Sequence, residues 1–436
     1  MAKENERRQS GLTGLQIQGY KSLRDLTDVA FGCLTILAGA NSDGKSSLMQ
    51  PLLLLKQTFD APYDPGVLLL DGPNVTFSDV RQIFWRAAGK QRASRFTLKL
   101  QMPTQSGEIV LQRVKGQTKS KPESMHILEC NWSSGNRVLE LRSDMTPGEV
   151  RKAASDSELA GLPKNLLRDR ATLVRNRAFL VVGLEESFPL PGPWSQFEQL
   201  LRSLIHVPGL RGNPRRTYRQ TAVEDYFPGI FPDYVASVVA RWQQEKADPL
   251  QSLGEDLRRL GLTWKVEAHQ VSATEVELRV GRLREGRRGG AQDMVSIADV
   301  GFGVSQVLPV VVALHAARPG QIVYVEQPEI HLHPRAQVAL AEILGRATRR
   351  GVQVVVETHS ELLLLGVQQL VASGELEPGK VKLHWFERDE EGATLVKTAE
   401  LDSQGAFGDW PVDFSDVSLE AMRAYLDTVT RQPRRA

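Results

Sequence analysis

Two cysteines in 436 residues, Cys33 and Cys130, are too few for a disulfide framework or a cysteine-built zinc site. That scarcity points to a reducing cytoplasm. No apolar run approaches the roughly 20 residues that a membrane span needs, and Met1 to Gly11 is polar and charged, unlike a signal segment. An excess of one charge is missing too: 54 Lys and Arg face 52 Asp and Glu, for a net charge of +2. Internal repeats and long heptad patterns are absent, which argues against an extended coiled coil. What remains is a soluble globular protein long enough for two or three domains.

Where basic residues gather, they do so in short clusters: Arg211 to Arg219, Arg282 to Arg288 and Arg346 to Arg350. Each could meet a phosphate backbone. The plainer reading is a solvated surface, and Arg346, Arg349 and Arg350 also suit the C-terminal end of a helix just before Gly351.

The most informative stretch is Gly39-Ala40-Asn41-Ser42-Asp43-Gly44-Lys45-Ser46. The apolar run Leu34 to Leu37 precedes it as a buried strand, and Ser47-Leu48-Met49 with Leu52 to Leu55 continues as a helix, the context a phosphate-binding loop requires. Backbone N–H groups of Gly39, Asn41, Ser42, Asp43, Gly44 and Ser47 can close around the phosphates of ATP at the positive end of that helix. Lys45 reaches the terminal phosphates and the Ser46 hydroxyl holds Mg2+. Pro51 falls inside the expected helix and should kink it or remove a hydrogen bond.

Phe96, Leu98, Leu100 and Met102 alternate along a half-buried antiparallel strand. From about Thr146 to Gly261 the pattern turns helical, as at Phe197-Leu200-Leu201-Leu204 and Tyr234 to Val239, broken by joints at Pro191-Gly192-Pro193 and Pro208-Gly209. Strands return at Leu262 to Ala268 and Val276 to Val280. Ile322 to Val325 and Val352 to Val356 are continuous apolar strands of the kind buried on both faces of a parallel sheet, and helical spacing from Ala336 to Leu344 joins them in a parallel crossover. The reading is an α/β core split in two: residues 1–100 carry its first part, 101–285 form a β and mostly helical insertion, 286–400 its second part, and 401–436 a tail. Asp389 to Gly392 reads as a hairpin turn.

At the end of the Ile322 strand stands Glu326-Gln327-Pro328-Glu329-Ile330-His331-Leu332-His333-Pro334. A carboxylate at a strand's C-terminal end beside a phosphate loop is where a magnesium-organising acid sits, and Glu326 takes that place. The next strand ends in Glu357-Thr358-His359-Ser360, where the His359 imidazole can bond a terminal phosphate. Asp299 to Gln306 is a glycine-punctuated turn leading into an apolar helix, a second helix N-terminus suited to an anion, with Gly301, Gly303 and Ser305 at its mouth. His331 and His333 resemble a metal pair, but packing and contact roles fit them better. Gln57 and Gln82 are the two candidates for a glutamine that senses the terminal phosphate.

In this order the segments resemble the ABC-type ATPases of the AAA group that includes the overcoming-lysogenization-defect nucleases and related DNA-repair and phage-defence proteins. Within it the likeness is greatest to prokaryotic ATPases with a C-terminal domain of unknown function. The stretches that carry it are Gly44 to Thr58, Val207 to Tyr218, Asp299 to Pro309, Glu326 to Pro334 and the tail around Asp409-Trp410-Pro411. The resemblance implies a homodimer with two ATPs sandwiched, each between one subunit's phosphate loop and the other's Gly301 to Ser305 turn, an isologous contact that closes on itself. ATP would hold the halves together and hydrolysis would release them. It also implies that Arg211, Arg215 and Arg216 have a role.

One departure matters. The family's usual strand end carries two acids, the second handling the attacking water, and here that second position is Gln327. An amide can hold a water but cannot accept its proton. Slow hydrolysis is therefore expected, with Glu329 or His359 as substitutes. Roughly 75 residues follow His359, fewer than an appended nuclease domain needs, so the expected function is an ATPase switch or clamp in nucleic-acid maintenance or antiviral defence. It would work with a separate effector such as a nuclease, with DNA as a possible polymer partner, larger assemblies open and no membrane. The alternatives are a nucleotide-gated scaffold with negligible turnover and, less favoured because Glu326 stands where transporters carry aspartate, a transporter's cytosolic engine.

Overall fold

A computed structural model describes residues 11–87, 92–116, 123–157, 167, 170–184, 188–190, 192–222, 224–282, 293–408 and 423. The Arg282 to Arg288 cluster lies, apart from its first residue, outside the described residues, as do Pro191, the Asp409-Trp410-Pro411 stretch and nearly all of the tail beyond it. Among the described residues no helix is long and apolar enough to cross a membrane.

The chain opens with β1 (Gly14–Gln18) and β2 (Thr27–Ala30), then the fully buried β3 (Leu34–Gly39) and helix α1 (Lys45–Asp60). α1 continues through Pro51, so only the hydrogen bond that this residue's missing N–H would have made is lost. After it come β4 (Arg95–Met102), β5 (Gln105–Val114), β6 (Ser124–Ser134), β7 (Arg137–Arg142) and helix α2 (Pro147–Asp156). The strands other than β3 form one antiparallel sheet in the order β2-β1-β4-β5-β6-β7. Phe96, Leu98, Leu100 and Met102 are its buried face on β4, as their alternation predicts.

Gly14 lies opposite Gln101, and β4 runs on into the β5 hairpin, so residues 105–142 share one sheet with β1 and β2 across the boundary expected near residue 100. Pairing between strands some 80 residues apart leaves no mark on local composition.

In the middle of the chain the expected helices alternate with short strands. β8 (Ala171–Asn176), β9 (Phe179–Leu184) and the two-residue β10 (Phe188–Pro189) make a small antiparallel sheet. Helix α3 (Ser195–Ser203) leads into β11 (Ile205–Val207), and β12 (Tyr218–Arg219) precedes helices α4 (Val235–Glu245) and α5 (Asp248–Arg259). β13 (Val266–Ser272), β14 (Glu275–Gly281) and β15 (Met294–Ser296) close this part as an antiparallel sheet with β12.

Then follow α6 (Phe302–Ala316), β16 (Ile322–Glu326), α7 (Pro334–Arg349), β17 (Gln353–Thr358), α8 (Glu361–Ala372) and the hairpin of β18 (Val381–Arg388) and β19 (Thr394–Ala399). The central sheet has the order β11-β16-β17-β3-β18-β19, parallel from β11 to β18. β3 is thus a strand of the C-terminal half, which is the split core seen from the sheet. Both faces are covered, which is why these strands read as unbroken apolar runs. Val323, Val325, Val354 and Val356 pack toward α4 to α8, while Ile322, Tyr324, Val355 and Leu37 pack toward α1 and the N-terminal sheet.

The second layer is closed by an aromatic stack of Phe59, Phe179, Trp194 and Phe197. Gly107 of β5 faces it so closely that a Cβ there would meet Trp194 at 2.6 Å and Phe197 at 3.1 Å. Gly107→Ala is therefore expected to overpack this layer at a cost of about 1–3 kcal/mol, read as a lower midpoint in urea with an unchanged slope.

Candidate functional site

The parallel strands β3, β17 and β16 end at one edge of the sheet, and the loop 39–46 folds over it. Three of its residues have left-handed backbone: Gly39 (φ 144°), Ser42 (φ 71°) and Gly44 (φ 102°). A Cβ on Gly39 would lie 2.5 Å from the Phe386 carbonyl oxygen, and one on Gly44 would lie 2.3 Å from Thr394 Oγ1. Only glycine permits this approach of the loop to the β18–β19 hairpin. The hairpin grips the loop in return: Thr394 Oγ1 donates to the Asp43 carbonyl at 2.7 Å, and Arg388 Nε donates to the Ser42 carbonyl at 2.8 Å. Asp43 in turn accepts from the Ala40 N–H at 2.9 Å. Asn41 and Ser42 are exposed at the tip, and Ser47 is buried in the first turn of α1.

Lys45 is buried and points back into the loop, donating to the carbonyls of Gly39 at 3.0 Å and Ala40 at 2.6 Å. Burial pulls its pKa below the ordinary lysine value, against the opposing fields of Glu357, Asp43 and Glu329.

Next to it, polar side chains cross the sheet on the face toward α1. Ser46 Oγ lies 3.0 and 2.9 Å from the two carboxylate oxygens of Glu357. Tyr324 donates its hydroxyl to Glu357 at 3.0 Å, with Glu326 as the second carboxylate acting on it. Glu326 takes a contact from His206 Nε2 at 3.2 Å and a hydrogen bond from the Gly209 N–H at 3.0 Å. His206 stacks on Tyr324 at 5.4 Å, and its Nδ1 lies 3.0 Å from the Asn74 amide.

Strand order explains this row. β17 is the immediate neighbour of β3, so Glu357 stands one strand from the loop. Glu326 stands on β16 in register with Glu357, one strand further out, about 9–10 Å from β3 in all. Burial works to raise Glu326, but its bonds to His206, Gly209 and Tyr324 outweigh that and hold it below the usual carboxylate range. Burial, followed by the charge of Glu326, pushes Glu357 up.

Past β16 the backbone turns through Gln327, a left-handed residue (φ 44°) whose N–H donates to the Glu357 carbonyl at 2.7 Å. Arg211 Nη2 donates to the carbonyls of Glu326 at 2.6 Å and Gln327 at 3.4 Å. Burial brings the Arg211 pKa down to about 10, and its Nε and Nη1 have no partner among the described residues. Glu329 is buried, with Oε1 accepting from the His359 N–H at 2.8 Å and Oε2 without a partner among the described residues. Half-buried His359 has a hydrogen bond to the Gly39 backbone; burial, then the Lys45 charge, lowers its pKa.

The two glutamine candidates separate cleanly. Gln57 is buried and spent on the 69–75 loop, donating to the carbonyls of Leu69 and Val75 and accepting from the N–H groups of Asn74 and Val75. Gln82 lines the cavity over the phosphate loop, a space of about 1150 Å³ that also meets Lys45, Ser46, Glu357, Arg81 and Arg388. None of Gly301, Gly303 and Ser305 lines it, and neither do Glu326 and Gln327. Gly301 caps α6, Phe302 beside it is 51% exposed, and Ser305 is turned inward to the Phe302 carbonyl.

Several basic and imidazole groups have local employment. Arg216 pairs with Asp299 at 2.7 Å, Arg346 with Asp256 and Glu342, and Arg349 with Glu375 at 3.0 Å, so these charges are offset on the spot. His333 caps α7 and His331 lies against Phe302. Glu357, Tyr324 and His206 are the site residues that sequence reasoning did not assign. The acid in the Glu357-Thr358-His359-Ser360 stretch was the available signal, hidden because strand order is not written locally.

A family model described as "AAA domain, putative AbiEii toxin, Type IV TA system" matches residues 197–365, less than half of the chain, from α3 to α8 and short of the phosphate loop. No curated protein matches. Among solved structures, an SMC head bound to the C-winged helix domain of ScpA is 11% identical, covering 90% of this chain and 98% of that one, with a TM-score of 0.45. The SMC head domain from Thermotoga maritima is 10% identical over 89% and 98%, with a TM-score of 0.38. An SMC head with an extended coiled coil, bound to the C-terminal domain of ScpA derived from Pyrococcus furiosus, is 11% identical over 97% and 100%, at 0.43. Likeness at this level says nothing of this chain's activity. The parallel order around β3 makes this a mixed α/β fold, and within it residues 197–365 match an AAA family model.

Glu329 supplies a pH test. Its pKa is raised, chiefly by burial, so the folded state holds the proton more tightly than the unfolded state. Its contribution is fully present below the unfolded value of about 4.3 and is lost as pH rises through the folded value. Glu329→Gln keeps an acceptor for His359 and removes the buried charge. It should raise the thermal midpoint at pH 7, with the gain vanishing near pH 4, as melts across that range would record.

Proposed function

We propose that this chain is an ATP-binding, slowly hydrolysing ATPase that pairs with a second copy around the nucleotide and serves as a switch for a separate effector. The observation that carries the reading is the loop 39–46 with Lys45 buried among its carbonyls at the head of α1. Its left-handed residues turn backbone N–H groups into an anion-binding concavity, the recurrent use of such a loop. ATP fits that concavity, and Mg2+ fits the hard oxygen donors beside it, the Ser46 hydroxyl and the Glu357 carboxylate. When bound, the cation would neutralise phosphate charge; the chain's own work is positioning. Lys45 would leave its two carbonyls for the terminal phosphates, and His359, neutral at pH 7 with its lowered pKa, would face them from β17.

Pairing is supported by what the cavity lacks. The Gly301 to Ser305 turn contributes nothing to it within one chain, while Gly301 and Phe302 stand exposed at the head of α6. A second copy could bring that turn over the nucleotide. The AAA match supports the ATPase class, and nucleic-acid maintenance or antiviral defence is the setting the sequence resemblance favours.

The second reading, a nucleotide-gated scaffold, draws on Gln327. Its amide cannot take a proton, and its backbone is pinned by Glu357 and Arg211. Phosphate release that is unchanged by Gln327→Ala and Glu326→Gln would favour the scaffold. If hydrolysis is intrinsic, Gln327→Glu should speed it at least about tenfold, since a positioned base contributes about 10²–10⁴-fold.

Lys45→Ala should weaken ATP binding by about tenfold to a hundredfold, the worth of a charge-assisted contact, as titration with a fluorescent ATP analogue would read. With ATP present the mass in solution should double, and Gly301→Glu should prevent the doubling. A wild-type mass indifferent to ATP would overturn the pairing.

A further inference from the structure

We infer that the carboxylate which meets the nucleotide's divalent cation is Glu357 on β17, with Glu326 on β16 as its outer support. This deepens the ATP reading above and rests on it. Three independent features of the edge point the same way.

The first is position. Glu357 lines the cavity together with Lys45 and Ser46, whereas Glu326 does not. The second is engagement. Ser46 presents one hydroxyl to both Glu357 oxygens at 2.9 and 3.0 Å, so the hydroxyl and carboxylate are already side by side as two hard ligands. Glu326 has its oxygens committed, one to His206 and the other to the Gly209 N–H, on the side away from the loop. The third is compensation. Tyr324 has a single phenolic proton and stands between two carboxylates, so it cannot fully satisfy both. Glu357 is only 5% exposed, and its neighbours are a serine, a tyrosine, another acid and the partly withdrawn Lys45. A buried carboxylate so placed is stabilised by a cation at its open side.

Mg2+ typically takes one or two carboxylates and completes its shell with phosphate oxygens and water. Ser46, Glu357 and an incoming triphosphate make that set. Glu326 then acts through Tyr324: by holding the phenol and His206 in place, it fixes the orientation of Glu357. Glu357 is a binding residue on this assignment and Glu326 a positioning residue.

The test is the magnesium linkage of nucleotide affinity, measured without any turnover. A fluorescent, non-hydrolysable ATP analogue is titrated into wild type, Glu357→Gln and Glu326→Gln, each in excess Mg2+ and in EDTA, with a thermal melt for every variant. Wild type should bind more tightly with Mg2+. Glu357→Gln should lose most of that tightening while keeping its affinity in EDTA, and the loss should exceed that in Glu326→Gln. Glu357→Asp, which keeps the charge on a shorter stem, should restore part of it and covers the case in which the amide variant does not fold. Full magnesium tightening in Glu357→Gln, or a larger loss in Glu326→Gln, overturns the assignment. Wild type that binds no analogue under either condition overturns the ATP reading instead, a result that leaves a different signature from failure of the cation assignment.

Discussion

Everything at the sheet edge hangs on the carboxylate of Glu357, wedged between the first turn of α1 and the Tyr324 hydroxyl. An isolated buried carboxylate would cost several kcal/mol, so the fold must bring donors to it. Ser46 arrives from a helix 311 residues earlier in the chain, and Tyr324 from the neighbouring strand. Once those donors are in place, the angle between α1 and the sheet is set, and with it the loop that leads into the helix. The two halves of the split core are therefore joined at the site itself as well as by the β17–β3 pairing beneath it.

The loop is held from the opposite side by the β18–β19 hairpin. Arg388 takes the Ser42 carbonyl and Thr394 the Asp43 carbonyl, so the loop's backbone is tied to the hairpin at two consecutive residues. Gly44 cannot be anything larger, because Thr394 Oγ1 and Ser22 Oγ occupy the place of its side chain. Lys45 fills the loop from within, its ammonium bonded to the Gly39 and Ala40 carbonyls. The loop is thus held from two sides, by the hairpin and by its own lysine.

Much of this was legible in the sequence because it is local. The strand-loop-helix around Lys45, the alternation of β4, and the buried runs of β16 and β17 with a helical spacer between them all write their period into consecutive residues. What was not legible depends on neighbours across space. β11 has three residues, too few for any period, yet it carries His206 into the row. The antiparallel sheet runs past residue 100 because β4 pairs with β1, a non-local fact. Above all, chain order places β16 before β17, while the sheet places β17 between β16 and β3. Glu326, the acid expected from motif position, thus stands one strand further from β3 than Glu357, and the acid that touches Ser46 lies in a stretch whose histidine drew the attention.

That same inversion ties Gln327 to the cation side of the pocket. Its N–H is bonded to the Glu357 carbonyl, which ties the turn after β16 to the end of β17. Arg211 clamps the other side by holding the carbonyls of residues 326 and 327, and two of its donors have no partner among the described residues. A left-handed, non-glycine residue is costly to hold, on the order of 1–3 kcal/mol, and persists only where its surroundings over-determine it. Here they do: a backbone bond on one flank and a buried guanidinium on the other. The amide at Gln327 is therefore fixed in place by the same strand end that carries Glu357, and whatever orients the carboxylate also orients the group that stands where a second acid is expected.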